Sequence, residues 1–244
     1  MVNRLAANLQ LYGALSTDEL QAIESLVGST RAVAAGEDVV MEGDAPTHCR
    51  VLLEGQAFRH KTLPDGRRQI MSFHIPGDLC DLQGLFLGMD HNVTTLTACE
   101  VGLIPHTRLA EVMRAYPQVA RAFWRTTLVE AAVFREWMVG MGRRSAYARI
   151  AHLFCEMIVR MQAAGFVRQG RCPFPITQQH LSDALGLSAV HTNRTLQALR
   201  GEGLLSFQHG ELVVLDWPGL KAAGEFDAGY LHQSEIASLS LAGG

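Results

Sequence analysis

A long segment without helix breakers most constrains what this chain can fold into. From Gln118 to Val139 the sequence contains neither Gly nor Pro, and its apolar residues recur at intervals of three and four. That period predicts one long helix. Two adjacent faces carry this spacing: Val119, Phe123, Thr126, Glu130, Val133 and Trp137 form the first, and Ala120, Trp124, Thr127, Ala131, Phe134 and Met138 form the second.

A helix with two such faces must bury both, so we expect one face against the rest of the chain and the other against a second copy. The simplest arrangement is a parallel homodimer. The alternative, a core helix inside a monomer, remains open at this stage. The residues that we assign to the dimer helix are Phe123, Trp124, Thr127, Ala131, Phe134 and Met138.

The region before this helix has a different pattern. Residues 4–27 predict short helices, with Ser16 and Thr17 in an N-cap region. From about Arg31 to Pro105, short apolar runs alternate with turn signals such as "AAGED", "MEGDAP" and "IPGDL". This spacing predicts an antiparallel sandwich or roll, and "LPDGRR" predicts a hairpin turn within it.

Charge is distributed unevenly along the chain. Its formal net charge is -3 over 244 residues, yet residues 143–215 contain 8 Lys/Arg against 4 Asp/Glu, a local excess of +4. A basic segment of this kind favours binding to a phosphate backbone. The five cysteines are scattered without a CxxC pair, so neither a metal site nor a disulfide framework is expected. The polar N-terminus and the lack of long apolar runs predict a cytoplasmic protein without a membrane partner.

After the long helix, "GMGRRS" (140–145) predicts a break and a hinge at Gly140–Gly142. A further helix is expected over Ser145–Ala164. The chain then reads "ITQQHLSDALGLSAVHTNRTLQALRGEGLL" (176–205), two short helical patterns around Gly186. Thr177 and Ser188 are N-cap candidates, and two helices joined by a Gly turn predict a helix-turn-helix. The following "LLSFQHGELVVLD" predicts a β-hairpin wing with His209 at its tip.

The second of these helices has a polar face that core packing does not require. We expect its N-terminal turns to enter a DNA major groove, with Arg194 offering a bidentate fork to guanine. Side chains at the helix N-termini would hold phosphates. The residues expected to contact double-stranded DNA are Thr177, Gln178, Gln179, Ser188, Ala189, Val190, His191, Asn193, Arg194, Gln197 and His209.

These motifs in this order resemble the catabolite-activator/Fnr (Crp/Fnr) family of bacterial transcription regulators. The resemblance rests on "EGDAPTHCRVLLEGQAF", "LPDGRRQIMSFHIPGDL", the long helix and the winged helix-turn-helix, and so covers nearly the whole chain. It implies an α+β fold: an N-terminal antiparallel β-roll of the cyclic-nucleotide-binding, jelly-roll type, a long dimerisation helix and a C-terminal winged helix-turn-helix. The expected domains are residues 1–116, 117–142 and 143–244. A homodimer on a palindromic operator and RNA polymerase as a partner are also implied.

The sensor roll departs from the cyclic-nucleotide members of the family. Those members have a Gly-Glu-Leu and then an Arg-Ser pair whose Arg holds the cyclic phosphate. Here Gly77-Asp78-Leu79 and the segment from His91 occupy those places, and no Arg occurs from 69 through 107. No cofactor is therefore predicted: a cAMP site is not supported, and His74, Cys80 and His91 are haem candidates by residue type alone. A pocket for an unknown small-molecule effector is assigned to Gly77, Asp78, Leu79, His91, Asn92 and Val93.

Two further departures bear on function. The N-terminus has no Cys before Cys49, so an Fnr-type iron–sulfur cluster is not expected. In the recognition helix the family pattern Glu-x-x-x-Arg retains Arg194 but has Val190 at the Glu position, which predicts a different half-site. No HExxH, P-loop or GxGxxG motif indicates an enzyme. The alternative function is a ligand-binding regulatory module of a protein complex that does not bind DNA.

Overall fold

The structure is a computed structural model that describes residues 3–233. The chain divides into two compact units, Met1–Leu128 and Val129–Gly244, and the long helix contributes to both. The first unit contains α1 (Arg4–Gln10), α2 (Thr17–Glu24), β1 (Ser29–Val33), β2 (Asp38–Val40), β3 (His48–Glu54), β4 (Ala57–Thr62), β5 (Arg68–His74), β6 (Asn92–Thr95), β7 (Cys99–Pro105), α3 (His106–Ala115) and the start of α4 (Pro117–Arg143). The second continues with the rest of α4, α5 (Ala146–Ala163), β8 (Arg171–Pro173), α6 (Gln178–Leu185), α7 (Ala189–Gly201), β9 (Leu205–Gln208), β10 (Glu211–Val214) and α8 (Trp217–Ala223).

The predicted roll is present, built from antiparallel strands in the orders β1-β7-β3 and β2-β6-β4-β5. The "LPDGRR" turn joins β4 to β5 as expected: the Leu63 N–H donates to Arg67 O at 2.8 Å, and Gly66 adopts φ 85°. Gly, Pro and Asp in these turns adopt the backbone dihedrals that reverse the chain direction, so that successive short strands pair antiparallel.

The first unit has an apolar core on both sides of one sheet. Val93, Val101 and Leu52 pack inside the roll, while α1, α2 and α3 pack around Val51 and Ile104. Asp81 is fully buried and joins two parts of the roll that are distant in sequence: its carboxylate accepts from the Arg50 N–H at 2.6 Å and from the Arg50 guanidinium at 2.5 Å. A buried carboxylate needs such charged and backbone donors to offset its lost hydration.

The long helix α4 confirms its prediction and corrects two details. Gly140 and Gly142 do not break it, because the helix runs on to Arg143 and the chain turns only at Arg144 and Ser145. Phe123 was assigned to the dimer-facing group, but its side chain is fully buried in the core of the first unit, where a partner could not contact it. Leu128, which was not assigned to that face, is 64% exposed.

The second unit has the predicted winged helix-turn-helix after α5, the helix expected over Ser145–Ala164, which begins after its N-cap Ser145. The sequence after Asp216, with Pro218 near its start, predicts a short helix that packs on the wing. The tail does form this helix, α8, with Pro218 in its first turn, and then a 3-10 turn at Ala228–Leu231. However, α8 packs chiefly on α5 and not on the wing: a Cβ added at Gly224 would come within 2.7 Å of the His152 backbone nitrogen. The terminal "ASLSLAGG", expected to be mobile, lies outside the described residues.

In residues 3–233, no helix has both the length and the apolar composition needed to cross a membrane.

Two glycines of the roll allow a matched test of local packing. Gly43 and Gly55 both have positive φ, 90° and 85°, but a Cβ at Gly43 would meet nothing within 4 Å whereas one at Gly55 would lie 2.5 Å from Ala98 O. We expect Gly43→Ala to lower the free energy of unfolding by about 1–2 kcal/mol from backbone strain alone. Gly55→Ala adds a clash and should cost at least about 3 kcal/mol. Equal losses in urea unfolding would contradict this packing.

Candidate functional site

The two helices of the helix-turn-helix begin and turn at the residues predicted from sequence. Thr177 caps α6, its hydroxyl accepting from the His180 N–H at 3.1 Å, and Ser188 caps α7, accepting from the His191 N–H at 3.3 Å. Gly186 ends α6 in the left-handed conformation, φ 62°. This conformation is easily adopted only by a residue without a Cβ, so Gly186 fixes the turn between the helices.

The angle between α6 and α7 is fixed by apolar packing and by one buried polar contact. Leu181, Leu196 and Leu199 are buried, as expected for the inner faces of the two helices. Between them, the Ser182 hydroxyl donates to Gln178 O and lies 2.9 Å from the Thr192 hydroxyl, which is also buried. Because Ser182 uses its proton on Gln178 O, Thr192 is the donor to Ser182. Sequence analysis missed this pair, since Ser and Thr at these positions carry no distinctive pattern.

The outward face of α7 gathers the predicted base-contacting side chains. Ala189, Val190, Asn193, Arg194 and Gln197 are all exposed, whereas His191 is half-buried. Val190 is 81% exposed, so its apolar side chain is accessible beside the polar ones. The helix thus presents an apolar contact and hydrogen-bonding groups side by side.

The predicted phosphate-contacting residues lie at the two helix N-termini. Thr177, Gln178, Gln179 and Ser188 are exposed there, and neither helix has an acidic residue in its first turn. The backbone N–H groups and the helix dipole therefore present positive potential that no carboxylate in the first turn offsets. Gln179 is the exception among the side chains, because its amide donates to Asp183 at 2.7 Å within α6.

The wing is a β-sheet of order β8-β10-β9 in the described part of the chain. His209 lies at its tip, as predicted, with φ 53° followed by Gly210 at φ 73°. The rings of Phe154, Phe174 and Phe207 meet with centroids 5.4–5.7 Å apart and attach the wing to α5. The wing is therefore held by an aromatic cluster in the second unit.

In the roll, the residues predicted as an effector pocket are mostly engaged in holding the fold. Asp78 accepts from the Asn8 amide and from the Ile75 N–H, each at 3.0 Å. Asn92 accepts from the Glu42 N–H at 2.7 Å. The remaining four also have structural positions. Gly77 has φ 105°, and a Cβ added there would lie 2.8 Å from Arg4 O, while Leu79 forms a β-bridge with Val51. Val93 is fully buried, and His91 Nδ1 lies 2.7 Å from Asp90 Oδ1.

The roll interior contains a cation, Arg59, that comes from outside residues 69–107, where the sequence has no Arg. Arg59 lies on β4, is buried, and donates to Cys80 O at 3.1 Å. Its cross-strand neighbours are Val93 and Ser72, so these three side chains share the inner face of the sheet. Within residues 3–233, His91 Nε2 and Ser72 Oγ are buried without a hydrogen-bond partner. The interior is thus polar in a limited zone around Arg59.

The residues at the positions expected to hold a cyclic nucleotide, Gly77–Leu79 and the segment from His91, do not suit that ligand. Asp78 already uses its carboxylate on Asn8 and Ile75, and the segment from His91 supplies no guanidinium for a phosphodiester. Burial and the nearby Arg59 charge lower the pKa of His91, so this residue is neutral at pH 7 and supplies no cation either.

The cysteines are buried thiols. Burial, the first cause in each case, raises the pKa of Cys49 and Cys172 to about 12, and the pKa of Cys80 is likewise well above its ordinary value. At Cys80 the neighbouring Asp81 and Asp78 add to this effect and outweigh Arg59. Burial and these carboxylates therefore disfavour a redox-reactive thiol at Cys80, because reactivity requires the thiolate.

Comparison with known families and structures agrees with this architecture. Residues 148–223 match the Crp-like helix-turn-helix domain, and residues 30–116 match the cyclic nucleotide-binding domain. Among solved structures, FixK2 from Bradyrhizobium japonicum has a TM-score of 0.72 at 26% identity, covering 80% of this chain and 96% of that one.

Curated relatives extend the similarity over most of the sequence. The nitrogen fixation regulation protein FixK of Bradyrhizobium diazoefficiens is 32% identical over 83% of this chain and 84% of its own length. The transcriptional activator protein FnrL of Cereibacter sphaeroides is 28% identical over 87% of this chain and 88% of its own. These relatives are transcription regulators rather than enzymes. The chain therefore belongs to the Crp/Fnr family and is a transcription regulator with a helix-turn-helix DNA-binding domain.

Proposed function

We propose that the protein acts as a homodimer that reads a palindromic operator with α7 of each subunit in the major groove. The observation that carries this proposal is the outward face of α7, where Val190, Asn193 and Arg194 are exposed together beside the capped helix N-terminus. The functional division follows the sequence: residues 1–116 form the sensor, 117–142 the dimerisation helix and 143–244 the DNA-binding part.

Each group of side chains has a distinct role in the proposed complex. Arg194 donates its fork to guanine, Asn193 reaches a base edge or phosphate, and Val190 contacts a thymine methyl group. Because Val190 cannot accept a hydrogen bond from cytosine, the half-site differs at that position from one read by a carboxylate. Thr177, Gln178, Gln179, Ser188, Ala189, His191, Gln197 and His209 complete the contacts to the backbone and groove edges.

The proposed dimer interface is an apolar seam of α4, which we define as Trp124, Leu128, Ala131, Phe134, Met138 and Met141. Ala131 and Phe134 are half-buried, and the other four are exposed. The members recur at intervals of three or four residues, the spacing that places side chains between those of a parallel partner helix. Met138 is 68% exposed in the single chain, so this seam lacks the cover that an apolar surface needs.

The sensor roll is proposed to hold a small effector with an anionic group near Arg59 rather than a cyclic nucleotide at Asp78. Arg59 offers a buried positive charge, and His91 Nε2 is directed to accept a hydrogen bond because Nδ1 faces the Asp90 carboxylate. RNA polymerase is the proposed protein partner, and the cytoplasm, which holds bacterial DNA, is the proposed compartment.

The first prediction concerns base recognition by Arg194. An operator is recovered by selecting random duplexes with wild-type protein, and binding is measured by gel-shift titration. Arg194→Ala should weaken binding by about 1–3 kcal/mol and abolish the preference for guanine at one position of each half-site. Arg200→Ala, in the last turn of the same helix, is the matched control: it removes the same charge and should leave base preference intact.

Salt distinguishes this function from the alternative of a protein-binding module. Operator affinity should fall on the order of 10³-fold or more between 50 and 200 mM salt, because several phosphates are neutralised. A flat salt response, or an Arg194→Ala protein with unchanged guanine preference, would refute DNA reading by α7.

The second prediction concerns the seam. Leu128→Glu places a charge within the seam and should convert the dimer to monomer in sedimentation velocity at micromolar protein, with loss of full-operator binding. Leu63→Glu is the matched control, since Leu63 is also an exposed leucine but lies in the turn between β4 and β5. It should leave the dimer unchanged. A wild-type monomer, or a dimeric Leu128→Glu protein, would contradict the proposed interface.

The third prediction concerns His91. Its pKa is lowered in the folded state, so the unfolded chain takes up a proton near pH 6.5 that the folded chain resists. Folding stability due to this residue is therefore lost as the pH falls below about 6.5. His91→Asn keeps a donor toward Asp90 and should flatten the decline of unfolding free energy between pH 7 and 5. Parallel declines in urea titrations of the two proteins would show that His91 is not buried as a neutral base.

A further inference from the structure

Sequence analysis assigned no role to the segment after the wing, yet the structure joins it to the end of α4. The junction lies within the second unit. Glu156 on α5 is 0% exposed, and one of its oxygens, Oε2, accepts two hydrogen bonds: from Trp137 Nε1 on α4 at 2.9 Å and from the Tyr230 hydroxyl at 2.9 Å. One carboxylate oxygen therefore connects α4, α5 and the C-terminal segment.

Other contacts support the same junction. Arg160, one turn along α5, lies 3.5 Å from the second oxygen of Glu156. Where α4 ends, the Arg144 guanidinium donates to Glu136 at 2.5 Å. Only Arg144 and Ser145 separate α4 from α5, so these polar contacts span a very short link.

The C-terminal segment is held in place independently of Glu156. His152 Nδ1 donates to Gly224 O at 3.0 Å, and the His152 ring packs against Phe226 and Tyr230, with centroids 5.1 and 5.8 Å away. Burial, reinforced by Glu156, raises the pKa of Tyr230, so its hydroxyl keeps the proton that it donates. Tyr230 is thus a neutral, oriented donor.

A buried carboxylate is a poor choice for stability alone. Apolar side chains of similar volume often stabilise a protein as well as a buried ion does, because the ion loses its hydration. Hydrogen bonds are directional, because they weaken steeply when the donor–hydrogen–acceptor angle departs from linearity. Those from the Trp137 indole and the Tyr230 phenol therefore restrict the orientation of the groups that they join. A rotation of the DNA-binding head about the two-residue link would break the Trp137 bond at Oε2, because Trp137 lies on α4, whereas Tyr230 moves with the head and fixes the direction in which Glu156 accepts that bond.

We infer that Glu156 is a positioning residue that sets the orientation of the DNA-binding head on the end of α4, and thereby the separation of half-sites that the dimer accepts. The inference rests on the proposed function, since residues 129–143 carry the C-terminal half of the dimer seam. With the seam fixed by the dimer, the angle at Glu156 determines where each α7 lies relative to the two-fold axis. Half-site spacing is a direct geometric consequence of that placement.

The experiment compares operators that differ only in spacing. Two copies of the selected half-site are placed at the preferred separation and at separations one base pair shorter and longer, and a single half-site serves as reference. Dissociation constants are measured for wild type, Trp137→Phe and Tyr230→Phe. Each variant removes one donor to Glu156 and retains the aromatic ring, and Tyr230→Phe also removes the 3.1 Å contact of the hydroxyl with His152 Nε2. We expect each to reduce the spacing discrimination of wild type about fivefold or more while single half-site binding stays unchanged.

The chain supplies matched controls for both substitutions. Trp217→Phe and Tyr147→Phe make the same chemical changes elsewhere in the second unit, where the Trp217 ring packs on Phe226 and the Tyr147 hydroxyl donates to Glu202. Both should discriminate spacing as wild type does. Equal losses in controls and test variants would overturn the inference.

Substitutions of Glu156 itself separate positioning from stability. Glu156→Gln retains an oxygen that can accept from Trp137 and Tyr230, so it should preserve most of the spacing discrimination. Glu156→Met removes both bonds but fills the space with an apolar chain, so it should stay folded in thermal unfolding and lose the discrimination.

Three further results would overturn the inference. Folded Trp137→Phe, Tyr230→Phe and Glu156→Met proteins with unaltered spacing discrimination would show that Glu156 does not position the head. Wild-type protein that binds half-sites without any spacing preference would do so too, while leaving DNA recognition intact. Wild-type protein that binds no DNA would overturn the proposed function, and the inference with it.

Discussion

The helix α4 has more apolar surface than one chain can cover, and this constraint organises both units. Its residues Val119 and Phe123 are fully buried in the core of the first unit, and Trp137 is buried in the second. Another face of the helix, which includes Leu128 and Met138 of the seam, is exposed. One face of α4 thus packs against its own chain, and the other is the face that we propose a second copy covers.

Much of the fold follows from local signals that act over a few residues. Thr177, Ser188 and Ser145 cap helices because their hydroxyls accept otherwise unpaired backbone N–H groups, and Gly186 takes the one left-handed position between α6 and α7. The same logic failed at Gly140. A glycine costs a helix only about 1 kcal/mol, so α4 continues until Ser145 adopts the extended conformation of the next N-cap.

Apart from the Ser182–Thr192 pair, the contacts that sequence analysis missed join residues far apart along the chain. Asp81 meets Arg50, Arg59 meets Cys80 O, and Glu156 meets Trp137 and Tyr230. No spacing rule indicates such pairs, because charged residues usually lie on the surface and the sequence does not show which ones the fold encloses. The family motif predicts an arginine in the segment from His91, which has none, whereas the fold brings Arg59 on β4 to the interior beside that segment. The candidate DNA face was predictable because its side chains lie on one helix.

The buried state of every cysteine has a practical consequence for studying this molecule. All five thiols are enclosed and their pKa values raised, so few thiolates are available at neutral pH to react with alkylating reagents. A cysteine introduced on the wing tip or on the exposed face of α7 would therefore be labelled in preference to the native ones. The wild-type sequence thus already serves as a background for attaching a fluorophore or spin label, without first replacing its own sulfur atoms.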